Sequence, residues 1–138
     1  LEATLTVINS KVGHSFPTYV TPRVVVSGEL IDRSGRVVAG SRQEQIIGRE
    51  VTLDLTRELF DTRLAPGESA SFRYRQRLPV AGLTLRVAVS VYPDHFYVGF
   101  FEALLAGGAG KGTARVREAL RAARSSSFTL YVNEMPLT

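Results

Sequence analysis

Cysteine is absent from the 138 residues of this chain, and that removes disulfides, thiolate metal centres and cysteine nucleophiles together. The absence does not fix a compartment, because many exported bacterial domains also lack cysteine. No apolar run approaches the ~20 residues that a membrane-spanning helix needs. Lysine is scarce: of 17 basic residues, all but Lys11 and Lys111 are arginine. Histidine occurs only as His14 and His95. There is no internal repeat and no Gly-x-Ser-x-Gly elbow. The glycines from Gly107 to Gly112, with Lys111, follow a helical pattern and lack the spacing of a phosphate-cradling loop. Ser10 and Ser15 neighbour His14 in sequence alone. Nucleophilic catalysis therefore has no support, and the chain reads as non-enzymatic.

What is present is a globular composition. Hydrophobic residues make up 44% and charged residues 22%, which suits one packed domain rather than a disordered or membrane-embedded chain. The net charge of +4 favours acidic partners. Arg115, Arg117, Arg121 and Arg124 would share a basic helix face, yet no base-reading groups interleave with them, which argues against nucleic acid. The chain opens on Leu1 inside an alternating pattern, where a free end would fray. We read residues 1–138 as a single domain excised or processed from a larger protein.

Leu1, Ala3, Leu5 and Val7 alternate with Glu2, Thr4 and Thr6, the period of a half-buried strand. Arg23 to Asp32 is β-branched and predicts a second strand. Asp32 to Arg36 predicts a turn with Gly35 at positive φ, and Val37-Val38 a return strand. The stretch from Gln43 to Leu59 is irregular and predicts only short or edge strands. Phe72, Tyr74, Gln76 and Leu78 share one face of a further strand. In Leu83 to Tyr92 the alternation is cleanest. Leu83, Leu85, Val87, Val89 and Val91 would each contribute ~1.5–3 kcal/mol on burial, which predicts a central strand. Asp94 is a suitable N-cap for a helix with Phe96, Phe100 and Leu104 beside Tyr97, Phe101 and Leu105. Thr113 to Arg124 predicts a second helix buried on Val116, Leu120 and Ala123. Phe128, Leu130 and Val132 alternate in a last strand. The pattern is mainly β: an antiparallel, immunoglobulin-like β-sandwich with two short helices inserted before the final strand.

The chemistry-bearing residues are few. His14 sits on a Gly/Pro-punctuated loop, where an imidazole could ligate iron or donate to an acidic group. Equally, it could bond a backbone carbonyl and fix the turn. Phe16 and Tyr19 could stack on a flat ligand. His95 follows the capping Asp94 and could join His14, but two histidines need Asp94 or Asp61 to complete a metal site. Asp61 and Arg63 could pair and stiffen a corner, or Arg63 could reach an acidic group.

The run Asn9 … Gly13-His14-Ser15-Phe16-Pro17-Thr18 resembles a signature of the non-haem C-terminal domain of multihaem c-type cytochromes. Further likeness lies in Arg23-Val24-Val25-Val26, Asp32 to Val38, Ile47 to Glu50, Asp61 to Ser69 and Val91 to Tyr97. The resemblance implies an exported, periplasmic or extracellular accessory domain that docks to or shields a haem in electron transfer. Without cysteine the chain cannot attach haem c itself, so the haem would belong to an adjacent domain or partner. His14, as axial ligand in trans or as donor, Phe16 and Arg63 are then the positions expected to face it, with His95 a lesser metal candidate. The rival expectation is an immunoglobulin-like binding or adhesion module whose arginines meet an acidic protein or glycan.

Overall fold

The cleanest alternation in the sequence becomes an interior strand. Thr84–Tyr92 is flanked on both sides by antiparallel neighbours, and its Leu85, Val87 and Val89 are buried. The computed structural model describes residues 1–77 and 79–138. Its elements are β1 (Glu2–Ile8), β2 (Arg23–Ile31), β3 (Gln43–Val51), β4 (Glu58–Asp61), β5 (Ser69–Arg75), β6 (Thr84–Tyr92), α1 (His95–Ala106), α2 (Thr113–Ser125) and β7 (Phe128–Pro136). A five-stranded sheet in the order β4-β3-β2-β6-β7 faces a two-stranded sheet of β1 and β5, and every pairing is antiparallel. This is the expected β-sandwich, with both helices between β6 and β7.

The core lies between the sheets. Val24, Val26 and Leu30 of β2, Ile47 of β3, and Leu85, Val87 and Val89 of β6 meet Phe72 and Tyr74 of β5. Gly28 makes that meeting possible. A Cβ at this position would stand 2.6 Å from Tyr74 Cδ2 and 3.2 Å from Phe72 Cε1, too close for a side chain. Tyr74 is fully buried, and its hydroxyl donates to the Ser41 carbonyl at 2.8 Å. Ser41 in turn accepts the Leu30 amide at 3.0 Å and donates to Val38 O at 2.6 Å. The side chain of Leu78, expected on the same face as Phe72 and Tyr74, lies outside the described residues.

The reverse face of β2 carries Ser27 and Glu29, both buried. Arg42 Nη1 at 2.7 Å and Arg86 Nε at 2.9 Å hold the Glu29 carboxylate. Burial pushes that carboxyl up, but the hydrogen bonds and charges of Arg86 and Arg42 outweigh it, so the net shift is downward.

Three local expectations change. The return strand of the first hairpin begins at Gln43: Val37 makes only a bridge to Ile31, and the intervening Gly40 turns at φ 73°. The irregular stretch after Gln43 contains a full nine-residue strand. Asp94 occupies the N-cap position of α1 without a side-chain cap bond; its carbonyl accepts the Val98 amide at 2.9 Å. The predicted turn does form. Asp32 Oδ1 accepts from Ser34 Oγ, Ser34 N and Arg36 N, and Gly35 takes φ 82°. Chiefly the Ser34 hydroxyl, followed by the Arg36 amide, pulls the Asp32 carboxyl down to about 2.

Among the described residues no helix is long and apolar enough to cross a membrane. The helices pair with each other, Leu120 and Ala123 of α2 being buried, while Tyr97, Phe100 and Leu104 of α1 remain exposed.

Candidate functional site

The histidine loop leaves β1 at Asn9, and Asn9 is what fixes it. Its side chain is buried, and Nδ2 donates to two carbonyls, His14 O at 2.8 Å and Leu64 O at 2.9 Å. Its backbone amide donates to Glu68 O at 2.9 Å and its carbonyl accepts the Gly67 amide at 2.7 Å. Gly67 reaches that position at φ 84°, a conformation a side chain would strain. One asparagine therefore ties the His14 peptide to the turn that introduces β5. In the sequence Asn9 stands out only as the first position of the histidine-loop pattern. Its position directly after an alternating strand and five residues before the histidine was the available signal.

The far side of the loop is clamped twice more. Phe16 and Leu64 exchange both backbone hydrogen bonds at 2.8 Å, and the Phe16-Pro17 peptide is cis. Arg63 reaches Thr18 O with Nη1 at 3.2 Å, while its Nε and Nη2 grip Asp61 at 2.9 and 2.7 Å. The Arg63 hydrogen bonds hold the Asp61 carboxyl below its usual range, against the opposing pull of desolvation. Arg63 thus has the structural pairing foreseen for it, with its guanidinium engaged on three sides. Phe16 is half-buried and packs against the core rather than standing free. Tyr19 is the exposed aromatic of this loop, at 71% exposure.

His14 itself is exposed, and its ring is oriented by one nitrogen. Nδ1 lies 3.0 Å from Ser15 O and 3.0 Å from Thr18 Oγ1. A carbonyl oxygen can only accept, so in the neutral ring Nδ1 carries the proton and shares it with the Thr18 hydroxyl oxygen. The lone pair then resides on Nε2, for which no partner exists among the described residues. The carbonyl bond is the one expected of a histidine that fixes its turn, and it leaves Nε2 as the ring nitrogen without a protein partner among the described residues. Metal-binding histidines use the same arrangement, the second nitrogen donating to a carbonyl.

His95 is placed elsewhere. At the first turn of α1 its Nε2 stands 3.2 Å from Glu50 Oε2, and Glu50 accepts from Arg23 Nη2 at 2.6 Å. Burial raises the Glu50 carboxyl, but the Arg23 hydrogen bond and charge, assisted by His95, more than reverse this. No contact joins the two histidines, and no cluster of three or more histidine, aspartate or glutamate side chains able to hold a metal occurs among the described residues. The loop and α1 do touch through backbone, the Phe96 amide donating to Thr21 O at 3.1 Å. Arg124 pairs with Glu102 at 2.7 Å, whereas Arg115, Arg117 and Arg121 have no acidic partner among the described residues.

No family model matches this chain, and no curated protein matches it. Among solved structures it is similar to a penta-heme cytochrome c552 from Thermochromatium tepidum, with TM-score 0.63 and 16% identity. The match covers 99% of this chain and 36% of that one, so the chain spans little more than a third of the cytochrome's length. At that identity the likeness establishes a common fold.

Proposed function

We propose that this domain is a non-catalytic accessory domain of an exported multihaem c-type cytochrome, and that it meets a haem of an adjacent domain or subunit through His14. The outward Nε2 of His14, on a ring fixed by Ser15 O, carries the reading. The shared fold with part of a penta-heme cytochrome supports it. The residues fit such a group unequally. His14 offers the Nε2 lone pair on a loop held by Asn9 and Arg63, and Tyr19 is an exposed ring of the same loop. Arg63 and Phe16 act as supports of the loop, since one is engaged by Asp61 and the other is packed inward. Covalent attachment is excluded by the lack of cysteine, so the haem comes from outside the chain. A haem iron with an imidazole ligand supplies one-electron transfer at a potential set by its ligands and surroundings. The role of this chain is to hold a ligand nitrogen in place and to limit water access on one side.

The test uses a haem peptide excised from a c-type cytochrome, whose iron has one histidine ligand and one open axial position. Titration into this domain is expected to give a saturable, one-to-one low-spin shift of the Soret band. His14→Ala should abolish it and His95→Ala should leave it unchanged. A shift that survives His14→Ala, or no shift at all, would overturn the haem-facing role.

A further inference from the structure

The two sheets are unequal, and the inequality leaves one strand's edge open beside uncovered apolar residues. Leu1 and Gln76 exchange both backbone bonds at 3.0 Å, and the Asn9 amide bonds Glu68 O at 2.9 Å. In an antiparallel ladder hydrogen-bonded pairs recur every second residue, so the odd-numbered residues of β1 bond β5. The backbone N–H and C=O groups of Thr4, Thr6 and Ile8 consequently point away from β5, along an edge that pairs with nothing in the described structure.

The opposite edge of the same sheet is closed. The Arg75 amide donates to Gln43 Oε1, and Gln43 Nε2 returns a bond to Arg75 O, so a side chain from β3 occupies the rim of β5. This contact and the seat of Tyr74 on Gly28 place β5 over β2 and β3. β1 therefore lies on the side of β6, and the inner face of β7 projects beyond it. That overhang is uncovered, with Phe128 at 51%, Leu130 at 58% and Tyr131 at 45% exposure. Val7, Ile8, Lys11, Val12 and Phe16 form a groove with Leu130 along the open edge. Unprotected edges next to apolar surface are templates for strand addition; here neither proline nor an inward charge blocks β1.

We propose that the free edge of β1 accepts an extended, antiparallel segment of a partner polypeptide. The segment would have apolar side chains at alternate positions that cover Leu130 and Tyr131, and an acidic residue near its N-terminus opposite Lys11. Main-chain bonds from Thr4, Thr6 and Ile8 give the register, and the overhang of β7 gives the apolar wall. A second copy of the whole domain is a poorer occupant. Two-fold pairing of β1 with its own copy would bring the copy's β7 overhang into the space of the first molecule's large sheet. An extended segment meets no such obstacle. This inference stands apart from the haem reading, and His14→Ala should leave it untouched.

The probe is a capped peptide of alternating valine and threonine with an N-terminal aspartate, titrated to about 1 mM while backbone amides are followed by NMR. Binding should shift and protect the amides of Thr4, Thr6 and Ile8. The peptide methylated on alternate amide nitrogens should fail in one of the two possible registers and bind in the other. Thr6→Pro removes an outward-pointing N–H, which an edge tolerates, together with the exposed Thr6 Oγ1–Ser71 Oγ hydrogen bond at 3.1 Å, and should weaken binding at least about tenfold with the fold retained. Thr6→Val, which loses that hydrogen bond but keeps the N–H, should bind in full. Leu130→Asp, at an exposed position, should weaken it as well. No binding, equal binding of both methylated peptides, or full binding by Thr6→Pro would overturn the proposal. So would a concentration-dependent dimer that Thr6→Pro abolishes, which would assign the edge to a second copy.

Discussion

Replacing Tyr74 by alanine is expected to cost about 3–5 kcal/mol of folding stability, among the largest effects of any single side chain here. The ring is fully buried, and the space at Gly28 is shaped to it, so its removal leaves a cavity that neither sheet can close. Tyr74→Phe separates the two contributions. The ring stays, but Ser41 O loses its donor in a buried position, for a loss of about 1–3 kcal/mol. Urea unfolding at neutral pH measures both. A Tyr74→Ala loss below that of Tyr74→Phe would show that the ring does not bridge the sheets.

The second large effect is Asn9→Asp. The native amide donates to His14 O and Leu64 O, and a carboxylate in its place directs negative oxygen at two carbonyls from a buried position. A loss of about 3 kcal/mol or more is expected at neutral pH, against about 1–3 kcal/mol for Asn9→Ala. The sign of the pH dependence follows. Folding raises the introduced carboxyl above its unfolded value of about 3.9, so the folded state binds the proton more tightly. The penalty is full above the folded pKa and shrinks as pH falls through it, because the protonated acid can again donate. Denaturant midpoints from pH 7 down to pH 4 test this. A penalty that stays constant or grows relative to Asn9→Ala would contradict the double tether.

The same contrast shows what was legible in the sequence. Strands with one face in the core announced themselves, as in β1, β5 and β6, where every second residue is apolar. β3 did not, because Gln43 to Val51 mixes polar and apolar residues on both faces: Gln43 caps the β5 edge, Glu50 joins Arg23 and His95, and only Ile47 and Gly48 are buried. The last strand was legible as a strand, but not in its faces. A register shift opposite Val89 and Ser90 sets Tyr131 against Val89 and Val132 against Ala88, which breaks the expected alternation of Phe128, Leu130 and Val132 and leaves all three exposed. At the site, His14 and the Asp61–Arg63 pair were visible as local patterns. The joining of Asn9 to Leu64 and of Arg63 to Thr18 spans 55 and 45 residues. Such contacts depend on which strands become neighbours, and no local spacing reveals that.

The central claim is that His14 holds its proton on Nδ1 and turns a bare Nε2 outward. Long-range proton–nitrogen correlation of the ring, recorded in mildly alkaline solution where imidazoles are neutral, reads this directly. The structure predicts a protonated, pyrrole-type signal for Nδ1 and a bare, pyridine-type signal for Nε2, with Thr18→Val changing their linewidths more than their order. A proton resting on Nε2, or a ring averaging freely between the two forms, would contradict it.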